Sequence, residues 1–143
     1  MSLTLDPATA LQTLIGDTLA ADPAVVAHVQ PGNIRAGSIR DEQLPAIILA
    51  PARASILGRA GGAQIVAEVR AHLHIWAHED ATGTAQELAA AVLAALMDAP
   101  TTDAFTIDAW DRPALEWLRD PAPDETLTHG VIATRATIRW RAD

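Results

Sequence analysis

At 143 residues the chain fits a single domain over 1–143 with room for a real core, and its lack of cysteine excludes disulfides, CxxC zinc sites and thiol nucleophiles. A net charge of −8, with ten arginines and no lysine, argues against a surface that clamps nucleic-acid phosphates, which needs clustered cations. No apolar run reaches the ~18 residues of a membrane span and no signal-like segment is evident, so the expectation is a soluble protein made in the cytoplasm, with no membrane partner.

Asp6-Pro7 supplies an N-cap and a proline suited to the first helical position. Leu11, Leu14, Ile15 and Leu19 follow at helical spacing, which predicts a helix over 7–20. Asp22-Pro23 repeats the signal for a short helical turn carrying Val25, Val26 and Val29, closed by Pro31-Gly32. After a polar loop, Leu44-Pro45 leads into AIILAPA, a first strand in which Pro51 marks an edge or an early exit. GRAGG at 58–62 reads as the tip of a long hairpin loop with no hydrophobic anchor of its own, either plainly flexible or ordered by a partner.

Over 64–77 the odd positions are Ile65, Ala67, Val69, Ala71, Leu73, Ile75 and Ala77, while the even ones include Glu68, Arg70, His72, His74 and Trp76. Strict alternation predicts a long strand with one buried and one exposed face, all three histidines (His72, His74, His78) lying on the exposed one. TAQE from Thr84 has the form of a capping box, and Leu88, Ala91, Val92, Ala95 and Leu96 make the stripe of a second long helix, which Pro100 follows. FTIDAW at 105–110 and ALEWL at 114–118 read as a strand interrupted at Arg112-Pro113, and PAPDE at 121–125 as a turn or mobile loop. The last strand, 129–141, sets Ile132, Ala136, Ile138 and Trp140 on one face and Arg135, Thr137, Arg139 and Arg141 on the other. The economical architecture is α+β, an antiparallel sheet of about four strands with two main helices packed on one face.

The chemistry on offer is sparse. His72 and His74 stand about 7 Å apart along one strand face and one ion can bridge them, but a metal site also needs acids from a neighbouring strand, with Asp108 and Asp111 the candidates. Cross-strand polar pairing with Glu68, Arg135 or Arg139 explains the same residues without a metal. Serine occurs only at 2, 38 and 55 and no GxSxG elbow exists, while GRAGG lacks the GK[ST] ending of a phosphate loop. The eight acids between Asp98 and Glu125 suit a solvated surface. Trp76 among polar neighbours favours a protein contact, while the arginine face of the last strand suits either a salt-bridged interface or a plain soluble face.

The helix LQTLIGDTLAADPAVVAHV, the strand LPAIILA, the strand ending HLHIWAHEDATGTAQELAAAVLAAL and the closing GVIATRATIRWR together resemble the tail-completion, or tail-terminator, family of long-tailed phages and phage-derived gene transfer agents. The most specific part is the strand ending in HIW, a short polar turn and an Ala/Leu-rich helix. The resemblance implies a structural virion protein, located at the head–tail junction, with no catalytic residues and no cofactor. Its partners would be itself in a ring, a hexamer, then the tail tube protein and the head connector or stopper, with DNA passing through without specific binding, and its place of synthesis the bacterial cytoplasm. The candidate interface is then Arg53, Arg59, Gly61, Gly62, His72, His74, Trp76, Arg135 and Arg139. Two alternatives stand beside it: another head–tail connector component such as a stopper, and a small metal-dependent enzyme using His72 and His74.

Overall fold

The computed structural model describes residues 5–37, 43–79, 83–118 and 127–141. The PAPDE segment lies outside them. Helix α1, Pro7–Ala20, starts where the Asp6 carboxylate accepts from the Ala8 and Thr9 amides at 3.1 and 3.4 Å, satisfying donors that a helix N-terminus leaves open. The short α2, Pro23–Val26, repeats this with Asp22, which accepts from Ala24 N at 2.9 Å. A 3-10 turn, Pro31–Asn33, leads into strand β1, Ile34–Ala36.

Strands β2 (Ala46–Leu49), β3 (Arg53–Ala60), β4 (Gln64–His78), β5 (Thr106–Leu118) and β6 (Leu127–Arg141) complete one six-stranded sheet, with helix α3, Thr84–Ala95, between β4 and β5. The order is β1-β2-β4-β6-β5, and β3 pairs with the N-terminal half of β4 beyond the end of β2. All pairs are antiparallel except β1 with β2. β4 and β6 run together from Gln64↔Arg141 to His78↔Leu127, so the odd residues of β4 share a face with the even residues of β6. That face is the core. Val69, Leu73, Ile75, Ile132, Ala136 and Ile138 are buried in one cluster with Leu11, Ile15 and Leu19 of α1 and Leu88, Val92 and Leu96 of the α3 region. Trp110 Nε1 donates to the Leu96 carbonyl at 2.9 Å, tying β5 to the otherwise open C-terminal end of α3.

The sheet has six strands where about four were expected, because β1 and β3 carry too little periodicity to announce themselves. The expected long hairpin loop is mostly strand: 53–60 pairs with β4, a bulge at Leu57 accommodates one extra residue, and only 61–63 turn. The interruption at Arg112-Pro113 is also a bulge, and β5 resumes the same ladder from Asp111↔Arg135 to Ala114↔Ala133. Proline fits there because β5 is an edge strand. The capping box is not what starts α3. Thr84 is already helical, and the cap residue is Gly83 in the left-handed region (φ 73°), with no side-chain cap.

Candidate assembly surface

The face of the sheet away from the core is built by the even residues of β4 and the odd residues of β6. At one end lie aromatic and imidazole rings. Trp76 and His129 are directly opposed across β4 and β6, and their rings stack with centroids 3.7 Å apart and planes 9° from parallel. His129 Nε2 lies 2.8 Å from His74 Nδ1, a hydrogen bond in which one ring donates and the other accepts. Burial holds the pKa of His74 below the usual imidazole value, and the neighbouring His72 lowers it further. Trp76 is therefore half-covered by its cross-strand partner, not the freely exposed aromatic that alternation suggested.

Further along, charge takes over. Arg135 Nε donates to Asp111 Oδ2 at 2.7 Å. Arg139 binds Asp108 through Nε and Nη2, at 3.0 and 3.1 Å, and Gln64 Oε1 through Nη1 at 2.6 Å. The hydrogen bond from Arg139 holds the Asp108 carboxyl below its ordinary range and the guanidinium above its own. Arg70 reaches Glu68 at 2.9 Å, and these two with Arg53 and Ser55 line a shallow depression between β3 and β4. Arg141 Nε donates to the Gly62 carbonyl at 3.3 Å, fixing the tip of the β3–β4 hairpin to β6.

Of the residues singled out from the sequence, Arg53, His72, His74, Trp76, Arg135 and Arg139 fall on this one face. Arg59 lies opposite Ile65 and so on the other face, and Gly61 and Gly62 form the hairpin turn. The acids that a metal site would have drawn on, Asp108 and Asp111, are held by arginines, and His74 meets His129 instead. Among the described residues no three metal-ligating side chains gather. Sequence reading missed His129 in this cluster, although 129 shares its parity with 135, 139 and 141, the positions that set the polar face of β6.

A search of curated proteins finds no similar sequence. Among solved structures, a chain from the virion of a native gene transfer agent particle superposes with a TM-score of 0.72 at 18% identity, covering 95% of this chain and 99% of that one. The gp17 protein of bacteriophage SPP1 matches with a TM-score of 0.53 at 20% identity, covering 92% and 90%. At such identities these two establish a shared fold. The family model for tail completion protein gp17 matches residues 13–139, from within α1 to near the end of β6. The chain therefore belongs to the tail completion protein gp17 family, structural proteins of phage-type virion tails.

Proposed function

We propose that this chain completes the tail of a phage-like particle as a closed ring, a hexamer, seated on the head-proximal end of the tail tube. The mechanism is geometric. The ring occupies the surface on which the next tube ring would add, stops polymerisation there, and offers its other face to the head connector. DNA passes through it without sequence-specific contact. The carrying observation is the family match over 13–139, which spans nearly the whole described fold. The likeness to a chain from a gene transfer agent virion supports the same setting. The sheet face suits this role, since its acids Asp108 and Asp111 are paired with arginines and His74 with His129, which leaves a surface ordered for contact with another protein.

The test is particle assembly without the chain. Cells lacking it are expected to accumulate DNA-filled heads and separate tubes of uncontrolled length, and adding the purified chain to tubes of normal length should restore joining. Normal-length tails already joined to heads in its absence would contradict the proposal.

A further inference from the structure

The two sides of the sheet end in unlike edges. On one side β3 pairs only with β4, and residues 53–57 are exposed throughout. Ile56 and Leu57 there are 61% and 58% exposed, more than any other large apolar side chain among the described residues. Although β3 has its own bulge at Leu57, an exposed strand edge that presents two large apolar side chains is a template for another chain unless something covers it. On the other side, β5 is interrupted by bulges at Asp108 and at Arg112-Pro113, devices that spoil continuous strand pairing.

The charges of the two edges are complementary. β3 carries Arg53 and Arg59 and no acid, and neither arginine has an ion-pair partner among the described residues. At the same level of the sheet β5 carries Asp108, both of whose oxygens Arg139 holds, and Asp111, which Arg112 follows at the bulge. One of the cross-strand rows that connect the two sides, Arg53↔Arg70↔Arg135↔Asp111, has a cation at one end and an anion at the other. Directly opposed like charges destabilise a sheet. Glu68 relieves Arg70 and Asp111 relieves Arg135, while Arg53 at the open end has no such relief. Asp111 receives both contacts from Arg135 on Oδ2, and its side chain is 49% exposed, which leaves Oδ1 able to accept from another donor.

We infer that the β3 edge of one copy docks against the β5 edge of the next, setting Arg53 against Asp111 and covering Ile56 and Leu57. Because the joined surfaces are opposite sides of the same sheet, the contact is heterologous, the kind that builds a ring where its rotation closes, as the ring proposed above requires. Side chains carry it, since the β5 bulges interrupt a regular ladder. This inference rests on the ring proposed above and assigns its subunit interface.

The absence of native cysteine makes the test clean. Particles are assembled with the chain carrying both Arg53→Cys and Arg112→Cys, with each single variant, or with the two single variants mixed, and are treated with a short bismaleimide. The double variant should give a ladder of covalent oligomers up to a closed ring and the mixture should give linked pairs, while each single variant should stay uncoupled. Dimers from Arg53→Cys alone would mean that like edges meet, and would overturn the assignment. So would chains present in particles but uncoupled in both the double variant and the mixture. Independently, Arg53→Glu should lower incorporation into particles at least tenfold without changing the thermal midpoint of the free chain; unchanged incorporation would overturn the inference. Absence of the unmodified chain from particles would instead defeat the tail-completion proposal itself.

Discussion

Among the glycines of the described residues, Gly130, on the core-side face of β6, is the position where one added carbon meets the tightest space. It lies on β6 opposite Trp117 of β5, and a methyl carbon placed there would stand 2.8 and 2.9 Å from Cζ3 and Cε3 of the Trp117 ring and 3.4 Å from Leu115 Cδ1. Carbon atoms prefer about 3.5–4.0 Å, so the indole must give way by at least about 0.7 Å. If the ring holds its place, the strain is that of an overpacked site, roughly 1–3 kcal/mol. If it swings outward, which an edge-strand side chain already 40% exposed can do, the cost is the contact it loses on the sheet. Against either stands the reduced freedom of the unfolded chain when glycine becomes alanine, about 0.4–1 kcal/mol. The net expectation for Gly130→Ala is a loss of about 1 kcal/mol, read as a lowered urea midpoint with an unchanged slope. In a Trp117→Ala background the same substitution should be neutral or mildly stabilising, because the clashing ring is gone. Equal losses in both backgrounds would refute the assigned contact, since the double-mutant cycle isolates it.

Three further outcomes follow from the core and the polar face. Leu73→Ala removes a side chain that is 1% exposed at the centre of β4 and should cost about 2–5 kcal/mol in urea unfolding. Thr134→Val deletes the buried hydroxyl that donates to the Ala71 carbonyl at 2.9 Å, and should cost about 0.5–1.5 kcal/mol in the same assay. His74, held below its usual pKa by burial and by His72, binds its proton less readily folded than unfolded. Its contribution is thus fully present above the unfolded value of about 6.5 and is lost as pH falls through the depressed folded value. The thermal midpoint should therefore drop on acidification across that window, and drop less in His74→Gln; an identical pH response in the two would be the contrary result.

What the sequence disclosed was whatever physics acts locally. Asp6 and Asp22 cap helices through amides two and three residues away, so their signals sit beside their effects. The alternation of β4 is equally plain, because one face is core and the other polar over fifteen residues. β3 left no such trace: both its faces are largely exposed, so RASILGRA has no period, and its strand conformation comes from the ladder with β4. Pro113 disclosed that β5 is disturbed but not that the ladder resumes beyond it. His129 joins His74 across 55 residues of chain, a pairing set by the β4–β6 register and by no neighbouring residue. The candidate surface was accordingly legible as a list of residues, of which Arg59 went to the other face, while its partners Asp108, Asp111 and His129 needed the register.

The proposal that this chain closes a tail as a ring is tested most directly by an image reconstruction of tail-bearing particles that contain it. Density for this fold is expected in one closed ring of six copies, at the head-proximal end of the tube and nowhere else along it. The same fold repeated down the tube, or found within the head shell, would be incompatible with a closing ring.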